Sequence, residues 1–200
     1  ILLYTYLVKA NIGLYVESFF NKVIKNMYAN KVIFLDRDGV INKEIGYLHK
    51  INDFEFIKGV FDSCKFLIKK GYKLIIVTNQ SGIGRDYYTQ SDFDKLTRWM
   101  LKKFSDNGVE ILDVLFCPHT PEFKCDCRKP KPGMLIYAKN KYNLDMNRSW
   151  LIGDKEVDID AAISSGINNH ILVRTGHKID EKNSKALFIL DSIAEVKSVI

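Results

Sequence analysis

The chain has 200 residues, 46% hydrophobic and 27% charged, an ordinary globular composition in a chain long enough to bury a substantial core. With 12 Gly, 4 Pro and no repeat of fixed period, it is neither a low-complexity linker, a collagen nor a solenoid array. Thirty Lys and Arg against 24 Asp and Glu leave a net charge of +6, scattered along the chain, which suits a small phosphorylated substrate as well as a nucleic acid and selects neither.

Residues 1–26 begin with an apolar and aromatic run broken at Lys9 and Asn11, well short of the ~20 residues a membrane span needs. They also lack the basic segment and small-residue cleavage site of a secretory signal, so a cytoplasmic location without a membrane partner is expected. Met27 precedes a strong strand, which makes it the expected start, with residues 1–26 an N-terminal extension and 27–200 a single domain. The competing reading of that extension is an amphipathic docking or dimerising helix; otherwise a monomer is expected.

From residue 31 the pattern alternates short apolar runs with longer amphipathic ones. Strands are predicted at 31–35, 73–77, 111–116, 149–153 and 170–173. Helices are predicted near 59–70, 91–105 with Ser91 as the cap, 132–142 and 156–165, and a last strand and helix over 187–199. Such alternation predicts an α/β fold whose mainly parallel sheet carries helices on both faces. Cys64 falls on the helical spacing of Val60, Phe61, Leu67 and Ile68 and reads as a small buried hydrophobe.

In a sheet of this kind ligands bind beyond the carboxyl ends of the strands. The predicted strands run out into DRD (36–38), TNQSG (78–82), CPH (117–119) and GDKEVD (153–158), so the polar groups converge on one edge. Asp36 and Asp38 stand two residues apart and would repel without a cation between them. With Asp154 they supply the few carboxylates, with room for water, that suit Mg²⁺. The Thr78 hydroxyl, the Asn79 amide, backbone N–H groups around Ser81 and Gly82, and the cations Arg128 and Lys129 suit a phosphoryl anion. An Asp nucleophile would split hydrolysis into two easier steps through an aspartyl-phosphate.

The ordered set DRDGVIN, TNQSGIGR, CRKPKPGM and GDKEVDIDAA resembles the four motifs of the haloacid dehalogenase superfamily of Mg²⁺-dependent phosphohydrolases. With GYLHKINDFEFIKGV (46–60) and the LVRTG ending (172–176), it is more closely similar to the heptose-bisphosphate 7-phosphatase family of heptose-nucleotide synthesis. The resemblance runs from about residue 31 to 176 and implies a Rossmann-like fold. It makes Asp36 the nucleophile, Asp38 the acid/base, and Thr78 and Lys129 the groups that orient or neutralise the phosphate. It implies Mg²⁺ on the Asp36 carboxylate, the Asp38 carbonyl and Asp154. Glu44, Ile45, Gly46 and Tyr47 would line the substrate, a small phosphorylated sugar, with Thr78, Asn79, Gln80, Ser81, Arg128, Lys129 and Lys155. His49, in the same loop, reads as a solvated histidine.

Cys117, His119, Cys125 and Cys127 form a closed set of three thiolates and one imidazole, which fits structural rather than catalytic Zn²⁺. The resemblance agrees, since these phosphatases carry a zinc loop here. Arg128 and Lys129 follow Cys127 directly, so the loop would fix the backbone that delivers both cations. Only five residues separate His119 from Cys125, a short form that also resembles histidinol-phosphate phosphatases. Short intervals between motifs leave no room for a large cap domain and predict a relatively open site. A nucleic-acid 3′-phosphatase or a non-catalytic sugar-phosphate binder are the other readings; the first needs a basic groove and the second the loss of Asp36 or Asp38, and neither is seen.

Overall fold

A computed structural model describes residues 30–200; the expected extension 1–26 and the expected start at Met27 lie outside the described residues. Six strands, β1 (Val32–Leu35), β2 (Lys73–Asn79), β3 (Asp113–Cys117), β4 (Trp150–Gly153), β5 (Asn169–Val173) and β6 (Phe188–Leu190), form one sheet. Their order is β3-β2-β1-β4-β5-β6 and every pairing is parallel. The strand expectations hold to within two residues, β2 running on to Asn79 and β3 starting at Asp113.

β1 is buried along its whole length, because a parallel sheet covered on both faces leaves neither set of alternating side chains to solvent. Ile33 and Leu35 join one core with Cys64 and Leu67 of α1 (Val60–Lys69) and Leu96, Met100 and Phe104 of α2 (Gln90–Asp106). Val32 and Phe34 join the other, with Met134, Leu135 and Ala138 of α3 (Gly133–Tyr142) and Ala161 and Ala162 of α4 (Glu156–Ser165). The strand's period of two thus divides its four side chains between the helix layers.

Two local expectations are corrected. α2 is capped by Thr89, not Ser91: the Thr89 hydroxyl accepts from the Asp92 N–H at 3.1 Å while the Asp92 carboxylate accepts from the Thr89 N–H at 2.9 Å. This reciprocal box satisfies two otherwise unpaired donors, which a serine two residues later cannot do. The chain also ends in a 3-10 run, Ile193–Ser198, rather than an α-helix. Its two buried apolar side chains, Ile193 and Val196, are three residues apart, a spacing that a three-residue turn satisfies. Among the described residues no helix is long and apolar enough to cross a membrane.

Candidate active site

The strand order reverses direction at β1, which places a crevice at the carboxyl ends of β1 and β4. Asp36 leaves β1 there, Thr78 and Asn79 end β2, and Asp154 follows β4. A cavity of about 430 Å³ borders Asp38, Asn79 and Lys129, and a smaller one shares those residues and reaches Asp36, Thr78 and Asp158.

Lys129 is the electrostatic centre. Its Nζ donates to Asp36 Oδ1 at 2.7 Å and to the Val77 carbonyl at 2.8 Å, and pairs with Asp158 Oδ1 at 2.5 Å. Burial works against its charge, but Asp158 and Asp36 outweigh burial and hold the ammonium above the ordinary lysine range. Burial raises the Asp36 carboxyl well above the usual range; Lys129 opposes this, while Asp158, Asp154 and Asp38 add to it. The Lys129 backbone is itself seated on β2, since its N–H donates to Asn79 Oδ1 and its carbonyl accepts from Asn79 Nδ2, both at 3.1 Å.

Asp38 is oriented by a ring of donors. Arg37 reaches its carboxylate from Nη2 at 2.9 Å and Nε at 3.2 Å, Asn42 Nδ2 at 2.9 Å and Gln80 Nε2 at 3.1 Å. Gln80 Nε2 also donates to Thr78 Oγ1 at 2.8 Å. The carboxylate is thus held at the cavity wall with part of its surface exposed.

Asp154 is buried, and its Oδ1 has no protein partner. Oδ2 accepts from the His177 N–H at 3.0 Å and meets His177 Nδ1 at 2.6 Å. A Cβ on Gly176 would come within 2.1 Å of that oxygen, so only glycine lets the chain pass. Carboxylate oxygens of Asp36, Asp154 and Asp158 lie within 4.8 Å of one another. A cluster of hard oxygens with an unpaired buried lone pair fits a divalent cation such as Mg²⁺.

Of the residues expected to line the substrate, Glu44, Gly46, Tyr47, Asn79, Gln80, Ser81, Arg128, Lys129 and Lys155 border the larger cavity and Thr78 the smaller one. Ile45 does not: it is 54% exposed and lines neither, its side chain turned to solvent between two neighbours that face inward. Three residues near the site, Arg37, Tyr88 and His177, escaped the sequence reading, and Asp158 enters it only as following Asp154. Arg37 was hidden inside DRD, and Asp158 carried a signal, four residues beyond Asp154 on the first turn of α4. His177 and Tyr88 lie in loops without a signal. His49 is not simply solvated, for its ring stacks on Tyr88 with centroids 4.9 Å apart and planes at 11°.

Beside this centre stands the cysteine loop. Cys117, Cys125 and Cys127 Sγ atoms are 3.2–3.4 Å apart, and His119 Nδ1 lies 3.4 Å from Cys127 Sγ and 3.6 Å from Cys117 Sγ. These separations exclude disulfides, which need about 2.05 Å. They approach the roughly 3.7 Å between tetrahedral donors around Zn²⁺, so the donor set and its shape both fit that ion. Phe123 stacks on the His119 ring at 4.3 Å, and Arg128 Nη1 donates to the His119 carbonyl at 3.3 Å, tying the loop to the cavity.

Comparison with known proteins agrees with this geometry. The HAD-hydrolase-like family model matches residues 126–196. Over 176 residues, 84% of the chain, the sequence is 47% identical to the D-glycero-β-D-manno-heptose-1,7-bisphosphate 7-phosphatase of Vibrio cholerae, covering 95% of that protein. It is 44% identical to the enzyme of the same name from Escherichia coli K12, covering 84% of the chain and 92% of that protein. The solved D,D-heptose 1,7-bisphosphate phosphatase of B. bronchiseptica, complexed with magnesium and phosphate, superposes with a TM-score of 0.74 at 26% identity, covering 84% of this chain and 96% of that one.

Proposed function

The chain belongs to the haloacid dehalogenase-like D-glycero-D-manno-heptose-1,7-bisphosphate 7-phosphatase family, and from that premise we infer that it removes the 7-phosphate of D-glycero-β-D-manno-heptose 1,7-bisphosphate. The carrying observation is the buried Asp36–Lys129–Asp158 cluster beside Asp38 at the head of a parallel sheet. It combines a nucleophile, a proton-transfer group and a fixed cation in one crevice.

In this reading an Asp36 carboxylate oxygen attacks phosphorus, and the bond from phosphorus to the sugar O7 breaks. Asp38 gives its proton to the departing O7, then takes one from the water that attacks the aspartyl-phosphate. That second attack frees inorganic phosphate and restores Asp36. Lys129 neutralises charge on the transferring phosphoryl oxygens, and the Thr78 hydroxyl and the N–H groups near Ser81 orient them. Asp36, the Asp38 carbonyl and Asp154 would hold Mg²⁺, which when bound supplies positive charge to the phosphoryl oxygens and relieves the crowding of carboxylates. Arg128 and Lys155, on the cavity wall, contact the remainder of the substrate, while Zn²⁺ on Cys117, His119, Cys125 and Cys127 would hold the loop that carries Arg128 and Lys129.

The test is phosphate release with Mg²⁺, comparing kcat/KM for the β-anomer, the α-anomer and histidinol phosphate. A preference for the β-bisphosphate of at least tenfold over the others is expected. A preference for histidinol phosphate would keep the mechanism and overturn the substrate.

A further inference from the structure

We infer that His49 is a positioning residue that holds Tyr47, and through it the Glu44–Tyr47 segment, against the cavity. Its consequence for the substrate rests on the reading that this segment contacts the sugar. Tyr47 has φ +50°, the left-handed region that a residue with a Cβ adopts unfavourably, so a neighbouring contact must hold it there. His49 Nδ1 lies 2.9 Å from the Tyr47 carbonyl. A carbonyl only accepts, so Nδ1 carries the proton and donates.

The ring that makes this bond is held from the other side. It stacks on buried Tyr88, whose hydroxyl donates to Gln80 Oε1 at 2.5 Å. Gln80 in turn donates to Asp38 and Thr78. A second contact runs parallel to the first, Tyr47 meeting Tyr87 edge to face at 4.8 Å and 88°. Two residues of one loop therefore clasp two of another, and the clasp is referenced through Gln80 to the Asp38 carboxylate.

The other anchors leave the Tyr47 carbonyl to His49: Tyr87 meets only the Tyr47 ring, and within the segment the Gly46 N–H donates to Glu44 Oε1 at 2.6 Å. Tyr47 is 48% exposed, so burial in the core does not fix its backbone. Arg37 Nη2 holds the Leu48 carbonyl at 3.0 Å but leaves Tyr47 to its own torsion. His49 does not line the substrate cavity, so it acts through Tyr47.

Two variants separate the contacts. His49→Phe keeps the stack and loses the donor; His49→Asn loses the ring but places its amide nitrogen where Nδ1 stood. In His49→Phe, amide hydrogen exchange across 45–48 should quicken at least fivefold. KM for the bisphosphate should rise five- to tenfold with kcat within twofold, and kinetics on p-nitrophenyl phosphate, too small to reach the loop, should not change. His49→Asn should return exchange and KM to within twofold of wild type. Unchanged exchange in His49→Phe overturns the inference, as does an equal loss on both substrates that His49→Asn fails to rescue. Faster exchange with unchanged KM supports the pin and sinks instead the assignment of residues 44–47 to the substrate.

Discussion

The carboxylate–lysine centre and the cysteine–histidine loop stand next to each other and are built on opposite plans. Asp36, Lys129, Asp154 and Asp158 come from three distant stretches of chain and are gathered by the register of β1, β2 and β4. Cys117, His119, Cys125 and Cys127 come from one stretch of eleven residues with only a single 3-10 turn inside it. The first is hard, oxygen-rich and open to a cavity; the second is soft and closed on itself. The first cluster is positioned by strand ends locked in the sheet, whereas the second is positioned by a short loop with a single 3-10 turn.

The two can be told apart by what fails when each is broken. Asp36→Asn should lower turnover by on the order of 10⁴-fold or more and leave the thermal transition in place, measured by phosphate release and circular dichroism. Near-normal turnover would remove the covalent route. Lys129→Met should lower kcat by roughly 10³-fold and also destabilise the fold by about 3–5 kcal/mol, because it strands the buried Asp36 and Asp158 charges; denaturant unfolding checks the second effect.

Cys125→Ala should act in the opposite proportion. Zinc content by metal analysis should fall close to nil and Tm by about 5–10 °C, with kcat/KM reduced through KM as Arg128 and Lys129 lose their support. A normal Tm together with full activity would reduce the loop to a bystander. The smallest effect is a pH dependence in zinc-stripped protein. Burial raises the Cys125 thiol, but hydrogen bonds from Cys127 and Cys117, then the Arg128 N–H and His119, pull it to about 7. Cys117 is instead driven up, chiefly by burial. Alkylation of Cys125 should therefore precede that of Cys117, rise through about pH 7, and be blocked by added Zn²⁺.

Most of the architecture is written in local pattern. Four-residue apolar runs such as Val32–Leu35 specify buried parallel strands, and the motif at each strand's end specifies the edge where chemistry collects. The close spacing of the cysteine and histidine donors is likewise local, and the fold does bring the four side chains together. The errors of secondary structure fall where two local signals compete: Ser91 and Thr89 are both good caps, and only the partner at Asp92 decides between them. At the carboxyl end, a spacing of three between Ile193 and Val196 serves a 3-10 turn as readily as an α-helix.

The sequence alone determined the fold class, the ordered carboxylates and cations, and the soft ligand set, because each depends on residue type and short spacing. Tertiary structure decided that Asp158 shares Lys129 with Asp36, that Ile45 turns outward while its neighbours face the cavity, and that His49 stacks on Tyr88. Those facts depend on which strand ends and loops meet across the sheet, and contacts between residues far apart in the chain leave no periodicity in the sequence that joins them.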